Sequence, residues 1–351
     1  MTTKIVSVSA TQSKFQVNDQ DAFTFDSSGS INPAAINNGY MYGNRVINGA
    51  QEIDQVNSGA AVTPSSTSST AYLTDMFGAS ISQASKLTFQ QVADAPAGLK
   101  NSTKITVAAQ YSPAATDQFI ISTAIEGKDV IDFQLGTSGA ATFTISQWIK
   151  GSVAGTYSIA LRNASVNRSY VGTVTVTTAW TPLKITVTGE LTGTWATDNT
   201  VGMFISWDLG SGSNFNTTAG SWQVGNFLRT SGSVTFVNQA AGSTLNITGV
   251  DCRLGSVAPT VFERRANELQ LAQRYYEAGF IQNYVAVAGL SQAVATASFK
   301  VSKRSTPTIS VPSVTPFAHS ASNISTSEFC AGCSGSGAYV NTSWTASARL
   351  F

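Results

Sequence analysis

The chain has 351 residues, of which 42% are hydrophobic and 11% charged, and 20 Lys and Arg against 19 Asp and Glu leave a net charge of +1. The charged share is less than half the usual ~25%, and near-neutrality leaves no global field to draw in nucleic acid or an anionic membrane. No window approaches the ~20 apolar residues of a spanning helix; the polar share is instead Ser, Thr, Asn, Gln and Gly, which together with β-branched residues favours strands.

The opening MTTKIVSVSA carries one Lys and no long apolar core, so no secretory signal is expected in it. Residues 1–62 include VNDQDAFTFDSSGSINPAAINNG, which has no sustained periodicity and the Asn, Asp, Ser and Gly content of turns and extended arms. The expectation is an N-terminal attachment arm, followed by a polar linker at PSSTSST, together spanning 1–70.

From 71 to 258 the pattern predicts an all-β jelly-roll sandwich. Candidate strands are TKITVAAQ (103–110), QFIISTAI (118–125), VIDFQL (130–135), ATFTISQWI (141–149), TYSIALR (156–162), SYVGTVTVTT (169–178), LKITVT (183–188), VGMFISWDL (201–209) and STLNITGVDCRL (243–254). In ATFTISQWI, Phe143, Ile145, Gln147 and Ile149 share one face and Thr142, Thr144, Ser146 and Trp148 the other, the signature of a strand with one buried and one wetter side.

A connector helix is predicted over 259–279. Thr260 and Glu263 have capping-box spacing, Ala266, Leu269, Ala272 and Tyr276 fall on one side, and Gly279 suits the C-cap. Residues 280–351 return to β with AVATASFKV, PTISV and AYVNTSWTASARL, a small C-terminal domain whose core is marginal alone.

Catalytic motifs are missing. The single His319 has no nucleophile elbow beside it, and no HExxH, P-loop or dinucleotide fingerprint occurs. A glycosidase needs two carboxylates ~5–10 Å apart, and nothing in the sequence brings together any two of Glu126, Asp129, Asp132, Asp198 and Asp208. The chain therefore reads as no enzyme and with no cofactor or metal. Cys330 and Cys333 in CAGC lack the other half of a zinc site, which leaves a tight turn with free thiols or a local disulfide. Asp251 is an isolated candidate for structural Ca²⁺, unsupported by a spaced set of acids. Asn-X-Ser/Thr triplets such as those at Asn163, Asn216 and Asn246 read as a by-product of Ser/Thr richness.

The candidate ligand site is a glycan site at Trp195, Asp198, Trp207, Asp208 and Trp222. These lie in TGTWATDN, ISWDLGSGSNF and TTAGSWQVGNF, where aromatic stacking area stands beside hydrogen-bonding groups. The competing reading is that Trp148 and Trp207 fill a core or a seam between subunits.

Five stretches in order resemble a family of bacteriophage and prophage tail proteins: GNRVINGAQEIDQVNSGAAVT (43–63), ATFTISQWIKGSVAGTYSIALRNASVNRSYVGTVTV (141–176), LTGTWATDNTVGMFISWDLGSGSNFNTTAGSWQVGNF (191–227), LNITGVDCRLGSVAPTVFERRANELQLAQRYYE (245–277) and SFKVSKRSTPTIS (298–310). The resemblance implies a carbohydrate-binding-module-like jelly roll in a virion appendage. The chain departs from the pattern at CRLGSVAPTVFERRANE and has Ala272 where a Cys is common.

The resulting expectation is a tail-fibre subunit, a homotrimer, located in the virion. It would join other phage tail or capsid proteins through residues 1–62 and touch host-surface glycans, with no nucleic acid or membrane partner. The alternatives are a capsid decoration protein or head fibre, and a glycan-binding module or depolymerase.

Overall fold

The computed structural model describes residues 3–9, 12–17, 20–26, 43–65, 70–259, 261–283, 292–313, 318–334 and 340–350. The protein is nearly all β. Strands β1 (Thr3–Ser9), β2 (Gln12–Val17) and β3 (Gln20–Asp26) form a three-stranded antiparallel sheet. Within the expected arm, 3–9, 12–17 and 20–26 are thus strand, while 27–42, which holds most of the stretch without periodicity, lies outside the described residues.

The sandwich comprises β4 (Ala71–Tyr72), β5 (Phe77–Ile81), β6 (Leu87–Val92), β7 (Ser102–Val107), β8 (Phe119–Glu126), β9 (Phe143–Gly151), β10 (Gly155–Arg162), β11 (Arg168–Val176), β12 (Thr181–Val187), β13 (Val201–Asp208), β14 (Trp222–Val224) and β15 (Thr244–Leu254). A seven-stranded sheet in the order β14-β11-β10-β13-β8-β5-β4 faces a five-stranded sheet in the order β12-β9-β15-β7-β6, and every pairing is antiparallel. This is the predicted jelly-roll type of sandwich. Its core is built from alternate residues: Phe143, Ile145 and Ile149 from one sheet meet Met203, Ile205 and Trp207 from the other. Burying each such side chain contributes about 1.5–3 kcal/mol. Pro182, which cannot donate to a ladder, sits in the edge strand β12, where that omission is tolerated.

VIDFQL is not a strand. Gly127–Asp129 and Ile131–Phe133 are single 3₁₀ turns that drop Phe133 into the core and turn Asp132 towards Arg45, 2.6 Å away. The segment from Asn44 to Gln51, expected in the arm, is integral to the sandwich: Val46 and Ala50 are buried, and so are the polar Asn44, Asn48 and Gln51.

The connector is shorter than predicted. Its helix α1 covers Glu268–Gln273, preceded by Asn267 at φ +59. Ala272 is buried but Ala266 and Leu269 are exposed, so the expected apolar stripe does not form, while Thr260 lies outside the described residues. The chain then turns directly into β16 (Tyr276–Asn283). Gly279 lies inside that strand and not at a helix cap; a Cβ there would stand 2.4 Å from the Trp344 ring.

Strands β17 (Gln292–Ser298), β18 (Thr308–Ser310), β19 (Ala318–Ser322), β20 (Glu328–Ser334) and β21 (Val340–Ser347) complete the C-terminal unit. Its sheets run β16-β21-β18 and β17-β20-β19, and Phe329 and Trp344 pack between them. The CAGC run lies within β20, so its cysteines are in a strand and not in a tight turn. Cys333 points into the core and Cys330 to the other face, and both thiols are free. Three residues along a strand span ~10 Å, beyond the ~7 Å a disulfide bridges.

The C-terminal unit is bolted to the sandwich by arginines. Arg304 donates from Nη1 to the Asn199 carbonyl at 2.9 Å and from Nη2 to the Arg349 carbonyl at 2.9 Å, and Asn199 Nδ2 donates back to the Arg304 carbonyl at 2.6 Å. The Arg349 guanidinium lies between the rings of Tyr72 and Tyr276, at 3.6 and 4.0 Å.

Candidate functional site: an aromatic groove on the small sheet

By strand parity, Trp148 points away from the core, and it stands on the outer face of the five-stranded sheet opposite Pro182 on β12 and Thr248 on β15. Between Thr248 and Asp251 the register of β15 slips by a bulge. Gly249 occupies it at φ +61, where a Cβ would lie 2.9 Å from both Trp148 Cδ1 and Leu99 Cδ1. Glycine is therefore required twice over, by backbone angle and by the ring packed against it.

The bulge interrupts the ladder, and Asn44 repairs it. Asn44 Oδ1 accepts from the Cys252 amide at 3.0 Å and Asn44 Nδ2 donates to the Val250 carbonyl at 3.0 Å. Nearby, the amide of Val250 donates to the Gly49 carbonyl. Past β15 the chain returns as a strap that brings Pro259 and Phe262 alongside Trp148. The result is a groove of about 190 Å³, floored by Trp148, Pro182 and Ser146, flanked by Lys184 and walled by Pro259 and Phe262. It offers a flat aromatic surface beside an ammonium and a hydroxyl, the combination that stacks on the C–H face of a sugar while bonding its hydroxyls. Further along the same face, Lys150 lies over the Trp180 ring at 5.1 Å and pairs with Asp94 at 2.6 Å, and that ammonium holds the Asp94 carboxyl below its usual range.

The five residues expected to form a site do not converge. Trp207 is in the core, where it packs on Phe77 and donates from Nε1 to Gln147 Oε1 at 3.2 Å. Asp208 is buried: it caps the turn at Gly210 and Ser211 and faces Arg229 at 3.6 Å, and burial raises its carboxyl above the usual range. Asp198 stands at the surface and accepts from the Thr200 amide and hydroxyl, which hold its carboxyl low. Only Trp195 and Trp222 meet, edge to face at 5.4 Å, with Tyr170 against Trp222 at 5.5 Å. Their indole N–H groups are spent on the Thr192 and Thr188 carbonyls, so this corner closes the sandwich edge. Asp251 is not a calcium ligand candidate either: it is buried against Arg253, which donates to it from Nε at 2.7 Å.

The outer face of the seven-stranded sheet is covered by the chain itself. The segment after β13 folds back and lays Leu228, Phe215 and Phe227 on Ile120, Ala160 and Val171. On that face Arg162 is buried, donating to Asn226 Oδ1 and Ser206 Oγ, and desolvation pushes its guanidinium down to about 10. The other carboxylates considered for catalysis are also engaged: Glu126 with Arg274 and Lys128, and Asp129 with Lys128. Among the described residues, no cluster of three metal-ligating side chains exists.

No family model matches the chain, and no curated protein matches it. Among solved structures it is similar to the enzymatically active domain of bacteriophage CBA120 tailspike protein 4, with 12% identity and a TM-score of 0.31, over 60% of this chain and 21% of that one. It is also similar to a family 11 carbohydrate-binding module from Clostridium thermocellum in complex with a β-1,3-1,4-mixed-linked tetrasaccharide, with 12% identity and a TM-score of 0.29, over 56% of this chain and 97% of that one. A CBM4 structure aligns with 16% identity and a TM-score of 0.29, over 59% of this chain and 98% of that one. The fold assignment stands on the chain's own strand pairing and core.

Proposed function

We propose that the chain is a non-enzymatic subunit of a tailed-phage appendage whose jelly roll holds a glycan across the Trp148 groove. The groove carries the reading: an indole, two proline rings, a lysine and a serine hydroxyl line one shallow cleft. Glu126, Asp129, Asp132, Asp198 and Asp208 all lie outside its lining, which favours binding over hydrolysis. Support for the virion setting comes from the five sequence blocks that resemble phage tail proteins. Two of them, 43–63 and 245–277, meet where Asn44 bonds the bulge of β15. Residues 44–51 belong to the body of the sandwich, so attachment to neighbouring virion proteins falls to the sheet of β1 to β3 and its flanks. The charge-poor surface suits a trimer.

The test is a glycan array probed with the full chain and with Trp148→Ala, run beside an assay for released reducing sugar. The reading expects array signals that the substitution removes, and no sugar release. Equal signals from both proteins, or sugar release abolished by changing Asp198 or Asp208, would overturn it.

A further inference from the structure

A second cavity lies on the other side of the sandwich, at the end of β13. Its volume is about 260 Å³, and its lining includes Ser112, Ser213, Asn216, Ser231, Thr235 and Arg229. We infer that this pocket binds one uncharged sugar residue, held by hydroxyl and amide groups and not by stacking.

Three observations carry the inference. First, the walls are fixed. Arg229 is buried, donates from Nη1 to the Ser211 carbonyl at 2.7 Å and from Nη2 to Thr235 Oγ1 at 3.1 Å, and is backed by Asp208. Gly212 fits so closely that a Cβ would lie 2.0 Å from the Ala114 carbonyl oxygen. Asp208 is thus a positioning residue: it holds both the guanidinium and the turn at Gly210 and Ser211. Second, the site carries no net charge, because Asp208 offsets Arg229, so an anion gains little there. Third, Asn216 Oδ1 is buried and accepts no hydrogen bond from the protein. An acceptor left so is costly, and Asn216 is one of the residues that line the cavity, where a small rotation of its amide would present that oxygen to a sugar hydroxyl. The serine and threonine hydroxyls both donate and accept, which matches a polyol. The volume lies just below the ~300–1,000 Å³ usual for ligand pockets, enough for one ring and too little for an enclosed chain. Without an aromatic ring in the lining, affinity rests on hydrogen bonds and falls in the millimolar range.

The experiment is ligand-observed NMR on the full chain with glucose, galactose, mannose and N-acetylglucosamine in turn, and separately with sulfate and inorganic phosphate. The expected result is saturable binding of at least one neutral sugar, weakened about tenfold or more by Asn216→Leu and unchanged by Trp148→Ala. If Asn216→Leu fails to fold, as judged by circular dichroism, Ser231→Val provides the same comparison. Three results would overturn the inference: no neutral sugar binding, equal binding by the pocket variant, or displacement of the sugar by sulfate or phosphate. Loss of the binding in Trp148→Ala alone would assign it to the groove and also overturn the pocket. The groove reading can fail on the array while the pocket stands, and the reverse.

Discussion

The side chain of Asn44 completes the ladder of β15, a strand more than two hundred residues away in sequence: its Oδ1 takes the Cys252 amide and its Nδ2 serves the Val250 carbonyl, each at 3.0 Å. All these groups are buried. Asn44→Ala would leave two buried donors, the Cys252 and Val46 amides, and one buried acceptor, the Val250 carbonyl, without that partner, at about 1–3 kcal/mol each. The expected outcome is a loss of about 3 kcal/mol or more in urea unfolding. Asn44→Asp, which keeps only the acceptor, should fall between the parent and the alanine variant.

The groove predicts its own dependence on glycine. Gly249→Ala places a Cβ against Trp148 and Leu99 at a left-handed backbone angle. Strain at such a position costs about 1–3 kcal/mol. The variant should melt earlier and show weaker glycan-array signals. Lys184→Gln, at an exposed position, should weaken the signals with little change in melting.

How much of this was legible depends on which residues carried the pattern. Alternation marked the buried face of β9, and the same period runs through β21, where Val340, Thr342, Trp344 and Ala346 are the buried set. The same parity, applied to VGMFISWD, puts Trp207 in line with Met203 and Ile205, inside the core; composition around the tryptophans drew the site reading away from that signal. Residues 44–51 escaped because Asn48 and Gln51 are buried polar groups satisfied by hydrogen bonds. Asn48 bonds Ile53 and Asp75, while Gln51 Oε1 accepts from Thr74 and Thr103. Such a segment has loop-like composition and no hydrophobic period. The groove wall at Pro259 and Phe262 and the pocket between Ser112 and Arg229 arise from long-range packing, for which no local spacing gives a signal.

The junction between the sandwich and the C-terminal unit should act as a cooperative clamp. Arg304→Ala removes the donors to Asn199 and Arg349. Losing partly buried bonds from a charged donor costs up to about 1.5–3 kcal/mol each. Calorimetry should then resolve two transitions where the parent shows one, with the small C-terminal core melting first.

The cysteines should behave as three separate thiols. Under oxidising conditions, mass spectrometry should find no intramolecular disulfide between Cys330 and Cys333, which face opposite sides of β20. Native alkylation should label Cys330 and spare Cys333 and Cys252. Burial also raises the Cys252 thiol well above its usual range, which suppresses the reactive thiolate.

Asp75 sets a pH dependence with a definite sign. Its carboxyl is buried, and that desolvation raises it above the usual carboxylate value even though Gln55 donates to it from the backbone amide at 2.6 Å and from Nε2 at 2.9 Å. The folded state therefore holds this proton more tightly than the unfolded chain. By linkage, the stability from this group is fully present below the unfolded value of about 3.9 and is lost as pH rises through the folded value. Asp75→Asn removes the titration while keeping an acceptor for the Gln55 amide. The melting temperature of the parent minus that of the variant should fall as pH is raised from about 4 to 7. A difference that grows over that window would mean that hydrogen bonds from Gln55 and the nearby Arg349 outweigh burial at this carboxylate.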